Sequence, residues 1–146
     1  MVFIALPALQ RSQRDAQRKQ DVSRLLDAVQ RSKSNNRGQL PSVLQTASWA
    51  GLTNSSSDRF IKTYLAVDGP FRNPQGEIWS IHGSMYNTPG SELPPAVISR
   101  ATALLREFRL AVGMKCDGSG IVAAQGPGHV AVRIFLESGG VYCESI

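Results

Sequence analysis

Cysteine is nearly absent: 146 residues contain two, Cys116 and Cys143, both in the last third. No CxxC pair and no Cys/His cluster at zinc spacing occurs, which removes zinc-ribbon and thioredoxin-like chemistry. The sequence also has no P-loop, no GxSxG, no HExxH and no Rossmann fingerprint. Gly118-x-Gly120 and Gly126-x-Gly128 fall between predicted strands and read as hairpin turns rather than phosphate loops. His82 and His129 stand singly and read as loop or strand-edge residues, while Asp117 and Glu144 flank the cysteines without forming an acid/base pair. No catalytic residue, metal site or cofactor is expected, and the chain does not read as an enzyme. Long apolar runs are missing too. The longest, Met1–Leu9 (MVFIALPAL), falls well short of the roughly 20 residues a bilayer crossing needs. A basic, Gln-rich run follows it, where a signal peptide would carry a small-residue cleavage site.

What is present is an ordinary soluble composition, 42% hydrophobic and 18% charged, with enough chain for one domain and an appendage. The appendage is the start of the chain. Met1–Leu9 is apolar on every side, with Pro7 inside it, and Gln10–Asp21 is polar on every side. From Val22 the apolar residues Val22, Leu25, Leu26 and Val29 share one helical face. No glycine interrupts before Gly38, in Asn35-Asn36-Arg37-Gly38, a good helix stop. The spacing therefore predicts one helix over 1–36, with an apolar end 1–9, a polar neck 10–21 and an amphipathic half 22–36. Such a helix is about 50 Å long, whereas a globule made of 37–146 has a radius of gyration of about 13 Å. The first third of the helix must be buried by something other than its own domain.

The net charge of +5 sits entirely on this helix. Met1–Leu40 holds eight Lys/Arg against three Asp, and the remainder holds eight of each sign. Arg11, Arg14, Arg18 and Lys19 are the candidates for contact with DNA or another anion, Arg11, Arg14 and Arg18 on one face. No aromatic residue is interleaved among them for base stacking. The plainer reading is a solvated neck carrying i,i+4 pairs such as Asp15–Lys19 and Asp27–Arg31.

Downstream, Gln39–Ser57 reads mostly as loop, with Trp49 and Leu52 pinning it, and a short helix is expected over Asp58–Val67. Phe71–Gly76 reads as turns, Glu77–Ile81 as a short strand with Ile78 and Trp79 on opposite faces, and His82–Pro95 as irregular. Pro94-Pro95 opens a second helix that buries Val97, Ile98, Ala101, Leu104 and Leu105. The period then changes to two, predicting strands from Glu107 to Cys116, over Ile121–Ala124, over Val130–Leu136 and over Val141–Ser145, the last two joined by a hairpin turn at Glu137–Gly140. The fold class is α+β: a long N-terminal helix packed on a C-terminal antiparallel sheet of 3–4 strands. The two cysteines read as one disulfide of an oxidising compartment, closing a loop worth about 3 kcal/mol, or else as two buried free thiols.

Several segments resemble type IV pilins. These are the apolar run ending Ile4-Ala5-Leu6-Pro7-Ala8-Leu9-Gln10, the polar-then-amphipathic continuation of the helix, and the paired C-terminal cysteines with the Val130–Leu136 strand between them. VFIALPALQRSQRDAQRKQD, Lys115-Cys116-Asp117-Gly118 and LESGGVYC (Leu136–Cys143) are most similar to pilins of reduced-genome, surface-attached bacteria. From Gln39 to Glu107 the likeness is loose. The resemblance implies a subunit that polymerises through Met1, Val2, Phe3, Ile4, Leu6, Pro7 and Leu9 into an extracellular filament for adhesion and twitching motility. It implies as partners other copies of the chain, the inner membrane before assembly and the pilus assembly machinery. Its close variant is a minor pilin or a secretion pseudopilin; a different class is a nucleic-acid-binding module using Arg11, Arg14, Arg18, Lys19 and Arg24, and a DNA-uptake pilin satisfies both. Pro7 stands where the family's helix-breaking proline does, in the zone that melts on assembly. Prepilins also carry a basic leader, a glycine cleavage site and a further apolar stretch with a glutamate. None of these stands here, so the resemblance implies that Met1-Val2-Phe3 is mid-helix.

Overall fold

In a computed structural model of the chain, the described residues are 2–40, 52–53, 60, 63–64, 72–77, 79–83, 107–118, 120–126 and 128–146. One helix, α1 (Val2–Asn35), spans 34 residues without a break at Pro7, about 51 Å at 1.5 Å per residue. It ends where the sequence predicts, but the left-handed turn begins one residue early. Arg37 has φ +57° and Gly38 φ +82°, and the Gly38 N–H closes back on the Lys33 carbonyl at 2.7 Å.

Seven strands follow: β1 (Leu52–Thr53), β2 (Ser80–Gly83), β3 (Glu107–Val112), β4 (Met114–Asp117), β5 (Gly120–Ala123), β6 (Val130–Phe135) and β7 (Val141–Ser145). The main sheet has five strands in the order β1-β2-β3-β6-β7, and β4-β5 form a separate two-stranded ribbon. The α+β class holds, while the expected 3–4 strands are corrected to five. The additional pairing comes from β1 and β2, with β2 running parallel to β3 and the other pairs antiparallel. Leu52, read as part of a loop, lies in β1.

Two further expectations change. The strand read over Glu77–Ile81 starts later, at Ser80, and runs on through His82 and Gly83. Ahead of it, Asn73 closes a tight turn, its Oδ1 accepting the N–H groups of Gln75 and Glu77 at 3.0 and 2.9 Å. The single strand read from Glu107 to Cys116 is two, because Gly113 takes φ +77° and turns the chain from β3 into β4. Alternating hydropathy alone carries no sign of that break. Most of the helix read at Asp58–Val67 and all of the one opening at Pro94-Pro95 lie outside the described residues, as do Trp49 and Ile78. Within the first of these, Phe60 is buried and its ring lies 5.9 Å from that of Tyr64.

The core forms where α1 crosses the sheet. Val22, Leu25, Leu26, Ala28 and Val29 pack with Trp79, Phe108, Leu110, Val130, Val132 and Ile134. The strand residues alternate, so the other face carries Ala111 and Ala131, which pack against Ile121 of the β4-β5 ribbon. Strand β6 is consequently buried along its whole length. The ribbon is held on this second face by a Cys116–Cys143 disulfide, with Cα atoms 5.8 Å apart. Of the two readings open for the cysteines, the bridge is the one realised. Arg133 also lies on this face, buried, opposite Arg109 in the β3-β6 register. Burial pulls its guanidinium below the ordinary arginine value, and the charge of Arg109 adds to that.

Candidate assembly surface and the charged junction beneath it

Helix α1 parts from its own head near Arg14. All seven residues from Pro7 to Gln13 are exposed, so for nearly two turns no face of the helix is covered. Leu9 keeps 53% of its surface in contact with solvent, the larger of the two big apolar exposures among the described residues. Met1 and the side chains of Val2, Phe3, Ile4 and Leu6 lie outside the described residues, while the helical backbone continues through positions 2–6. Among the described residues, no helix is long and apolar enough to cross a membrane.

The neck differs from its expected form. Gln10–Asp21 is polar on every side, yet it is not solvated all round: Asp15, Arg18 and Asp21 are buried. These positions prolong the apolar stripe toward the N-terminus. The sequence 15, 18, 22, 25, 29, 32 advances by three and four, so charged and apolar residues share one buried face.

At the upper end of that face, α1 meets the turn between β6 and β7. Asp15 accepts the backbone N–H groups of Glu137 and Ser138 at 2.8 and 3.1 Å. Glu137 in return accepts from Arg14 through both carboxylate oxygens, at 2.6 and 3.1 Å. Arg18 Nη1 bridges the two acids, 2.8 Å from Glu137 and 3.2 Å from Asp15. The bidentate fork of Arg14 suits a carboxylate in a way a lysine could not. Glu137 is held below the usual carboxylate range, first by the hydrogen bond from Arg14 and then, against the cost of burial, by Arg18.

Of the four basic residues singled out, the structure therefore separates two from two. Arg14 and Arg18 are spent inside the molecule, and Arg18, fully buried, has no surface to offer an outside anion. Arg11 and Lys19 remain exposed. The Asp15–Lys19 pair is not the arrangement adopted: Asp15 turns to the β6-β7 turn, and Lys19 lies 5.4 Å from the ring centre of Tyr142. The Asp27–Arg31 pair is present at 3.2 Å, with both side chains exposed, so it adds little stability. Further along, Ser23 donates to Glu144 at 3.0 Å, and Lys33 Nζ donates to the Gly128 carbonyl at 2.8 Å.

Hydropathy could not find the junction, since it averages the neck as uniformly polar. The available signal was the spacing of Asp15 and Arg18 in phase with Val22, Leu25 and Val29. Among the described residues no three His, Cys, Asp or Glu side chains come together as a metal site would require. His129 Nδ1 lies 3.1 Å from the Ile146 carbonyl at the edge of the sheet, and the side chain of His82 is outside the described residues. No family model, curated protein or solved structure matches the chain.

Proposed function

We propose that this chain is the structural subunit of a type IV pilus-like filament. Copies assemble through the apolar end of α1, and the head is displayed outward. The observation that carries this reading is the uncovered stretch of the helix: every residue from Pro7 to Gln13 is exposed, and Leu9 leaves 53% of its surface in solvent. Exposed apolar surface costs about 25 cal/mol per Å². A row of identical helices, or a bilayer before assembly, removes that cost. The transfer from lipid into a bundle of like helices exchanges one apolar surrounding for another.

The rest of the molecule suits a subunit under tension. The disulfide ties the ribbon to edge strand β7, and the junction at Glu137 ties the helix to the turn beside it. In this reading the protein is anchored in the inner membrane before assembly and lies on the cell surface afterwards, serving adhesion and twitching motility. A minor pilin or pseudopilin is the same physics with fewer copies. The DNA-uptake variant keeps Arg11 and Lys19 as its exposed contacts.

The test is electron microscopy of cell-surface filaments, with the subunit identified by mass spectrometry. Filaments built from this chain are the expected result. Recovery of the chain only as a dispersed monomer, on cells that make no filament containing it, would overturn the reading.

A further inference from the structure

Between its free end and its apolar stripe, α1 is held to the head almost wholly by charge. Residues 14–20 read Arg-Asp-Ala-Gln-Arg-Lys-Gln. Asp15 and Arg18 are buried and Arg14 is half-buried, while Ala16, Gln17, Lys19 and Gln20 are exposed. No apolar side chain of this stretch packs on the head. Its attachment is the set of bonds joining Arg14, Asp15 and Arg18 to the β6-β7 turn, with the Lys19–Tyr142 contact beside them.

Arg18 makes that attachment conditional. Its side chain has no exposed surface, and Nη1 reaches both acids. Nε and Nη2, however, are buried without a hydrogen-bond partner. A guanidinium has five donors to satisfy, and a buried cation so incompletely bonded stays in place only while opposing charge holds it. With one carboxylate neutralised, water becomes the better surrounding.

We propose that the Arg14–Asp15–Arg18–Glu137 cluster is an electrostatic latch with a closed and an open state, and that opening frees residues 14–20 from the head. Opening lengthens the free helix by seven residues, about 10 Å at 1.5 Å per residue. The helix stays attached beyond that point through the bond from Trp79 Nε1 to Asp21 and through the Val22–Val29 stripe. The latch is a property of the single chain, whether or not copies polymerise.

Glu137 is faced by Arg14, Asp15 and Arg18 from α1; the next charged set along the helix is Lys19 with Tyr142 and Glu144 of β7. Because the Glu137 carboxyl is held below its ordinary 4.5, its contribution is complete above that value and is lost as pH falls through the lowered one. The latch is closed at neutral pH. Acid, or removal of the Glu137 charge, opens it. Asp21 responds in the opposite sense, since burial raises its carboxyl, and a neutral Asp21 still accepts from Trp79.

Hydrogen exchange of the full chain, read by mass spectrometry over 14–20 and over 22–34, tests this. In E137Q at neutral pH, residues 14–20 are expected to exchange at least about tenfold faster than in the wild type, with less than about a twofold change over 22–34. The wild type is expected to show the same localised loss as the pH is lowered stepwise from 4.5 through the depressed Glu137 value, after correction for intrinsic exchange, and E137Q to show little further response. If E137Q does not fold, D15N and the acid titration of the wild type carry the test. Retained protection over 14–20 after neutralisation, or an equal loss across 22–34, would overturn the latch.

Discussion

Trp79 Nε1 donates to Asp21 Oδ2 at 2.9 Å, both groups buried, across 58 residues of sequence. The same indole stacks on Phe108 with ring centres 4.1 Å apart. One side chain thus ties α1 to β3 through an apolar face and a polar edge. Burial raises the Asp21 carboxyl above its ordinary 3.8, and the Trp79 bond only partly offsets this. The fold therefore disfavours ionised Asp21, and its share of stability declines as pH climbs from 3.8 through the raised value. D21N keeps an acceptor for the indole and removes that decline. Its stability at neutral pH, from urea unfolding, is expected to match or exceed the wild type. W79F leaves the acid buried without its donor and is expected to cost about 2 kcal/mol or more.

Leu9 offers a clean separation of folding from assembly. Because it is 53% exposed, L9D is expected to change the unfolding free energy by less than about 0.5 kcal/mol. In the filament reading the same substitution abolishes polymerisation, since it places a charge on the surface that other copies must bury. Denaturation curves and filament imaging on one variant give the two readouts.

The disulfide closes a sequence separation of 27 residues, so its loss is expected to cost about 3 kcal/mol. The effect has a location as well as a size. Beyond Cys116, the ribbon is held by small contacts around Ile121, Ala111 and Ala131 and by the bond from the Cys116 N–H to Ser145. A C116S/C143S double variant is expected to lose amide protection first over β4 and β5 and to show a lower urea midpoint.

Gly113 has open space where a Cβ would stand, but its φ of +77° is left-handed. Its N–H bonds the His129 carbonyl at 2.7 Å, and its own carbonyl accepts from Ala124 at 3.0 Å, so the backbone cannot relax away. G113A is expected to cost about 1–2 kcal/mol, as conformational strain alone, measured by thermal or urea unfolding.

The sequence made the helix and the C-terminal hairpin legible, because both carry a strong period. Val22, Leu25, Leu26 and Val29 fixed the helix face, and the alternation of Val130–Phe135 fixed a strand that proved to be the centre of the sheet. The turn from β3 into β4 was hidden, because one glycine in a run of alternating residues breaks a strand without breaking its pattern. β1 was hidden because two residues carry no period at all. The junction at Glu137 was hidden for a different reason: a buried acid and a solvated one look alike until the partner from 119 residues away is in place.

The bonds at Gly128 and Glu137 lie on either side of β6, one receiving Lys33 and the other Arg14 and Arg18. Strand and helix are thereby gauged against each other, like a bolt cut to fit between two brackets. A single residue inserted between Arg18 and Lys33 rotates one end of the helix by about 100° relative to the other, and only one bracket can then be met. An insertion ahead of Arg14 meets no such check and changes only the overhang.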